Sequence, residues 1–322
     1  MLAPDDKRDL WLAERRSYMT GSTAGACAGL SPWDNALLVA LDKLGQLDPT
    51  PDCERFHWGH ALESLVMDRC RALLPGEVAS WQMDEAPTLR VHPHFPWMAC
   101  TVDGLYQTPG GAQGVLEAKI TDPRAFHKWD PYPAYHAAQV QWNMDCCELD
   151  RAVLCVLVGD WSWHAYTIKA DPVAQSTLRA ASRVVWDAVQ AGDLLGLVDF
   201  DHPKTPAALA ALYPHGQPLD KSQPLEQLED PELVAACIEV DRLQKELGAL
   251  KADKAAAENK LRAALGDLQG AQVGPYRVRW TNTTTRRLDK KALTAAAPEL
   301  VAQHTTATDS RRLSIRNTAQ GE

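Results

Sequence analysis

Nothing in the 322-residue chain approaches the run of about 18 consecutive apolar residues that a membrane helix needs. C-x-x-C pairs are also absent. The eight cysteines (Cys27, Cys53, Cys70, Cys100, Cys146, Cys147, Cys155, Cys237) lie scattered, with no histidine beside them at zinc spacing. That excludes a zinc ribbon or a disulfide framework read from spacing, and the expectation is reduced, mostly buried thiols. The opening MLAPDDKRDLW lacks the basic-then-apolar order of a secretory signal. A cytoplasmic protein with no membrane partner is expected. Positive charge is scarce too: the net charge is −9 and the pI about 5.6. A protein whose whole surface grips nucleic acid is disfavoured, although a basic channel inside an acidic protein remains allowed. A composition of 45% hydrophobic and 23% charged residues is that of a soluble globular protein with one large core or two domains.

What is present divides into three regions. Residues 1–200 mix helix and strand signals. Helical segments are expected over DDKRDLWLAERRSYM, NALLVALDKLG, ERFHWGHALESLVMDRCRALLPG, PAYHAAQVQWNMDCC and PVAQSTLRAASRVVWDAVQAG. Strands are expected over EVASWQ, MACTVDGLY, GVLEAKI, AVLCVLVG and WHAYTIK, an order that predicts an α/β core. Residues 201–229 read as a linker, with Pro203, Pro206, Pro214, Pro218 and Pro224. In 230–322, Val240, Leu243, Leu247, Leu250, Ala257, Leu261, Ala264 and Leu268 form a heptad stripe on one long helix, interrupted by Lys254. The stripe requires cover, and the lysine favours packing within the same chain over a homodimeric zipper. A strand, a basic turn, a short helix and a strand follow, giving a small α+β accessory region.

Chemistry concentrates in VLEAKI. Glu117 and Lys119 share one face of a strand while the apolar residues line the other. Upstream, CTVDGLY supplies Asp103, and the turn QTPGGAQG between them predicts a hairpin that brings Asp103 beside Glu117. Two carboxylates that close repel unless a cation intervenes, and an all-oxygen set suits Mg²⁺ or Mn²⁺.

Asp103 followed by Glu117-Ala118-Lys119 resembles the D…(D/E)-x-K signature of the PD-(D/E)XK nucleases. More specifically, ERRSYMTGSTAGACAGLSPW, WGHALESLV, TVDGL, LEAKI and YPAYHAAQVQWNM, in this order over roughly residues 9 to 170, resemble the YqaJ-like viral recombinases, relatives of phage lambda exonuclease. The resemblance implies a restriction-endonuclease-like core, a mixed sheet flanked by helices. It implies Asp103, Glu117 and the Ala118 carbonyl as metal ligands, with Glu63 as the helical carboxylate that holds a second ion or acts through water. Two Mg²⁺ ions, replaceable by Mn²⁺, are expected. Lys119 is the implied catalytic lysine. Gln139 and Gln141 both match the supporting glutamine, but residues two apart on a helix cannot both face the site, which favours Gln139. The related tyrosine four residues further on is here Asn143. Arg15 and Arg16 both fit the arginine that binds a terminal 5′-phosphate together with Thr20 and Ser22, and His60 lies one helical turn before Glu63.

The implied activity is metal-dependent hydrolysis of double-stranded DNA ends, 5′ to 3′, leaving 3′ single strands for a single-strand annealing protein. A homo-oligomer, a ring trimer, is implied with it. An endonuclease or nickase on the same core and an inactive DNA-binding scaffold are the alternatives. An iron–sulfur nuclease is not, since only Cys237 follows Cys155.

Overall fold

The structure, a computed structural model, describes residues 4–47, 53–83, 88–215, 227–306 and 313–315; the side chains of 4–9, 55, 56 and His60 lie outside that description. The chain divides into two compact units, Met1–Pro214 and His215–Glu322.

The first unit begins with α1 (Pro4–Arg16), β1 (Met19–Thr20), α2 (Gly21–Cys27), α3 (Ala36–Lys43) and α4 (Glu54–Leu73). Strands β2 (Ser80–Gln82), β3 (Arg90–Val91), β4 (Met98–Cys100), β5 (Gly104–Gln107) and β6 (Gln113–Thr121) follow, then α5 (Pro123–Phe126) and α6 (Ala134–Cys146). The hairpin of β7 (Arg151–Val158) and β8 (Trp163–Lys169) leads into α7 (Pro172–Ala191) and α8 (Thr205–Leu212).

The main sheet runs β2-β5-β6-β7-β8. β5 and β6 are antiparallel and β6 and β7 parallel, so the sheet is mixed, as the α/β order of signals predicts. Its two faces carry separate apolar layers. Val66, Met67 and Cys70 of α4 pack on Leu116, Ala118, Val153 and Cys155. On the other face α2, α3, α6 and α7 close over Val115, Ala152, Leu154 and Val156. Strand alternation explains the division, because odd and even residues of β6 and β7 point to opposite layers.

Helix α6 sits deepest and is fastened at several points. Its Trp142 Nε1 donates to the Ala99 carbonyl at 2.9 Å. Gln141 donates to the Lys169 carbonyl at 2.8 Å and accepts from the Asp171 N–H at 2.9 Å, which locks α6 to the start of α7. Against its outer side lies α2, whose small residues permit a very close approach. A Cβ on Gly21 would lie 2.3 Å from Asn143 Oδ1, and one on Gly25 3.2 Å from the Tyr135 backbone.

Three sequence expectations change in the first unit. MACTVDGLY is two strands, β4 and β5, because the chain leaves a small sheet (β1-β4-β3) at Thr101 and joins the main one at Gly104. Residues 201–229 are not all linker: Pro206 lies in the first turn of α8, where a missing N–H costs nothing. Thr205 there is buried and accepts from Asn35 Nδ2 at 3.1 Å, fixing α8 to the core. Cys70 and Cys155 form a disulfide, since α4 crosses β7 with their Cα atoms 5.9 Å apart. Trp161 is exposed on the β7–β8 turn.

The second unit holds α9 (Pro231–Leu265), a hairpin of β9 (Gly270–Val273) and β10 (Tyr276–Arg279), then α10 (Lys290–Ala296) and α11 (Pro298–Gln303). Asp230 caps α9, accepting from the Glu232 and Leu233 N–H groups, and Gly266 at φ 54° ends it. The heptad stripe is exposed at Leu243, Leu247, Leu250 and Leu261, contrary to the expected packing within the chain. Lys254 pairs with Glu258 one turn on instead of entering an apolar seam. The expected final strand falls largely outside the described residues, and 313–315 are not in a strand.

Leu154, fully buried in β7, tests the two-layer core. Leu154→Ala is expected to lower the unfolding free energy by about 2–5 kcal/mol, read from urea titrations followed by circular dichroism. A loss within error would mean that β7 is not central.

Candidate active site

Strand β6 has two partners over different stretches. β5 pairs with it only from Gln113 to Leu116, whereas β7 accompanies it from Val115 to Thr121. Beyond Leu116 one edge of β6 is therefore free of β5. Asp103, the residue just before β5, reaches into this split and accepts the Ala118 N–H through Oδ2 at 2.9 Å. Both polar groups of one strand residue face the same edge, so the Ala118 carbonyl faces the split as well.

Glu117 is fully buried on the α6 side. Three donors surround its carboxylate: Lys119 Nζ at 2.5 Å and Gln139 Nε2 at 2.6 Å on Oε1, and Asn143 Nδ2 at 3.1 Å on Oε2. Burial, and then the negative charge of Asp103, hold the Glu117 carboxyl well above the usual carboxylate range. Burial alone would draw the Lys119 ammonium down, but Glu117 and Asp103, and then Glu63, outweigh it and hold its pKa above the ordinary lysine value. Glu63 thus belongs to the same electrostatic cluster, approaching from α4.

The residues of α6 that face this cluster are spaced by three and four. His136 precedes Gln139 by one turn, and Asn143 follows it by one turn. Burial and the Lys119 charge drive the His136 pKa down to about 3, so this imidazole is neutral. Gln141 points away to the α7 junction. Asn143 is legible in the sequence only as the place of a missing tyrosine, and His136 carries no motif of its own; their shared helical face with Gln139 is the signal available for both.

A second cluster forms at the α1–α2 corner. Arg15 Nη2 donates to Ser22 Oγ and, at 3.4 Å, to Thr20 Oγ1. Its guanidinium also lies over the Trp11 ring at 5.0 Å. Arg16 turns elsewhere, to Asp42 at 3.7 Å. Thr20 opens α2 through a capping box, its N–H donating to Thr23 Oγ1 at 3.3 Å while that hydroxyl donates to the Thr20 carbonyl at 2.8 Å. Beneath, the buried Lys43 Nζ donates to the Arg15 carbonyl at 3.1 Å, closing the C-terminal end of α1. Gly21 links the two clusters, since its backbone rests on Asn143, the donor to Glu117.

Among the described residues no three His, Cys, Asp or Glu side chains converge into a ready metal cage. The groups at the split are nonetheless all oxygen: Asp103, Glu117 and the Ala118 carbonyl, with Glu63 nearby. Mg²⁺ is commonly held by one or two carboxylates and completes its shell with water, so this donor set fits it.

A Glu–Lys pair on a central strand, an aspartate at the split beside it and a helical glutamine behind are the arrangement that the resemblance to the PD-(D/E)XK nucleases implies. Residues 10–150 match the profile of the YqaJ-like viral recombinase domain. The chain is 23% identical to the uncharacterized protein YqaJ of Bacillus subtilis (strain 168), over 96% of this chain and 94% of that one. Among solved structures it is similar to the alkaline exonuclease LHK-Exo of Laribacter hongkongensis, alone and in complex with dAMP, at 16% identity and a TM-score of 0.44. That match covers 57% of this chain and 94% of the other.

Lys43 gives a test of the α1–α2 corner. Burial first, then Arg15, lowers its pKa from 10.5 to about 8. Between these values the folded state holds fewer protons than the unfolded one, so this group's contribution to stability rises with pH across that window. Lys43→Met should remove the rise. The unfolding free energy of wild type minus that of Lys43→Met, measured at pH 7.5 to 10, is expected to increase with pH; a flat difference would place Lys43 in water.

Proposed function

We propose that the chain is a metal-dependent deoxyribonuclease of phage-type recombination, acting 5′ to 3′ on duplex ends and leaving 3′ single strands. The observation that carries this reading is the buried Glu117, held by Lys119, Gln139 and Asn143 beside Asp103. Nothing about strand packing calls for a carboxylate there, and its desolvation has to be offset by every donor around it.

Asp103, Glu117 and the Ala118 carbonyl would hold Mg²⁺, with Glu63 reaching it directly or through water at a second ion. When bound, such an ion activates water and offsets charge on the leaving oxygen. The chain's own residues do the rest. Gln139 and Asn143 fix both oxygens of Glu117, so its carboxylate keeps one orientation through turnover. Lys119 presents ammonium N–H groups to the attacked phosphoryl group and to the water in line with it. Neutral His136, beside Lys119, adds no competing charge. Arg15, with Ser22, Thr20 and the first N–H groups of α2, receives the terminal 5′-phosphate, which sets polarity. Arg16 is not assigned this role, because Asp42 holds it. The location in the host-cell cytoplasm, a ring trimer and an annealing protein as partner belong to the same proposal. No helix among the described residues is long and apolar enough to cross a membrane.

Asp103→Ala and Glu117→Ala are expected to abolish Mg²⁺-dependent hydrolysis while circular dichroism stays native. Lys119→Ala should lose most turnover yet still bind duplex DNA. Wild-type turnover in any of the three folded variants would refute the site.

Polarity is tested separately. Removing the 5′-phosphate from a linear duplex should slow digestion, and Arg15→Ala should erase that difference where Arg16→Ala does not. Equal rates on both ends together with cutting of closed circles would establish an endonuclease instead, and binding without hydrolysis of any substrate would leave an inactive scaffold.

A further inference from the structure

Between Tyr276 and Lys291 the chain carries six basic side chains, Arg277, Arg279, Arg286, Arg287, Lys290 and Lys291, against the single acid Asp289. This occurs in a protein of net charge −9. All six are exposed, and none pairs with an acid among the described residues. Asp289 is itself engaged, accepting the Ala292 N–H at 2.9 Å as the cap of α10.

The neighbouring helix shows what an ordinary solvated charged face looks like. On α9, Arg242 pairs with Glu239 and Glu246, Lys245 with Asp241, and Lys254 and Arg262 with Glu258. The basic run lacks such partners, so mutual repulsion is left uncompensated. Helix stability does not explain it either: Lys290 and Lys291 occupy the first turn of α10, the end at which the helix dipole disfavours cations.

On β10, Arg277 and Arg279 share one face, and their cross-strand neighbours are Gln272 and Gly270. That face has no apolar centre of the kind that anchors a protein partner. From Thr281 to Thr285 the chain is irregular and exposed, presenting four threonine hydroxyls and the Asn282 amide ahead of Arg286 and Arg287. On the Arg277–Arg279 face and from Thr281 to Arg287, guanidinium, hydroxyl and amide donors with no apolar side chain among them match a phosphodiester backbone, while the exposed Trp280 and Leu288 flank this stretch. Tyr276 alternates with Arg277 on the strand and so lies on the other face, which argues for phosphate contact over base stacking.

We infer that residues 277–291 form a second DNA-binding surface, one that grips the phosphate backbone without reading sequence. The choice of DNA rests on the nuclease reading; the polyanion chemistry does not. Such a surface would hold the substrate while the core advances.

The test uses the full-length chain in EDTA, with labelled single-stranded and duplex DNA read by fluorescence anisotropy across a salt series. Arg277→Gln, Arg279→Gln, Arg286→Gln and Arg287→Gln combined should weaken binding about tenfold or more at low salt, and the slope of log K against log salt should fall by about 0.7–0.9 for each phosphate left without its cation. The two DNA arms show which form is held. A control removing as much charge from α9, with Lys245, Lys251, Lys254 and Lys260 each changed to Gln, should leave the slope unchanged. Unchanged affinity and slope in the Arg variant would overturn the inference and give the patch to an acidic protein partner; an equal loss in the control would reduce it to net charge. Hydrolysis is assayed apart, in Mg²⁺: an inactive wild type would sink the nuclease reading while leaving the binding result intact.

Discussion

The structure depends on one departure from regular pairing, the separation of β5 from β6 after Leu116. A strand that loses a neighbour in the interior exposes N–H and C=O groups that must be satisfied. Here the Asp103 carboxylate meets the Ala118 N–H and brings a negative charge to the edge of a buried strand. Glu117 sits on that same strand, in the apolar layer between sheet and α6. A carboxylate so placed is costly unless it is fully hydrogen bonded, and three donors supply that. The pair of acids and their lysine are therefore a local instability that the rest of the fold has to hold in place.

Much of the packing can be understood from this requirement. Gln139 and Asn143 are useful only if α6 keeps its register against β6. That register is fixed from both sides, by Trp142 on Ala99 and by Gln141 at the β8–α7 junction. The close approach of α2 presses on the same helix at Asn143 and Gln139, and only glycine at position 21 leaves room for it. The phosphate pocket proposed at Arg15 thus shares a wall with the carboxylate site. A shift of α2 would disturb Asn143 and with it Glu117.

The parts of this arrangement that are legible in the sequence are those governed by local periodicity. Alternation puts Glu117 and Lys119 on one face, the hairpin signal puts Asp103 opposite Glu117, and helical spacing separates Gln139 from Gln141. What depends on non-local packing is not legible. Both Arg15 and Arg16 fit the spacing to Thr20, and only the folded contacts separate them, Arg15 reaching Ser22 and Thr20 while Arg16 turns to Asp42 on α3. MACTVDGLY reads as one strand because nothing local shows that it changes sheets at Thr101. The Cys70–Cys155 disulfide and the burial of Thr205 likewise arise where segments far apart in sequence meet.

Charge is distributed according to the same logic. In the first unit the cations at the two clusters are drawn out of water: Arg15 and Lys43 both have pKa values lowered by burial, and Lys119 is kept charged only by the carboxylates around it. At short range in such surroundings the low dielectric makes one charge count for much. The basic run of the second unit is the opposite case, six exposed cations whose individual effects are weak and screened by salt. Weak, numerous and exposed charges suit a contact that must be made and released at every step along a polyanion. An overall acidic chain gains from that separation, because repulsion from the remaining surface confines phosphate to the places where cations are concentrated.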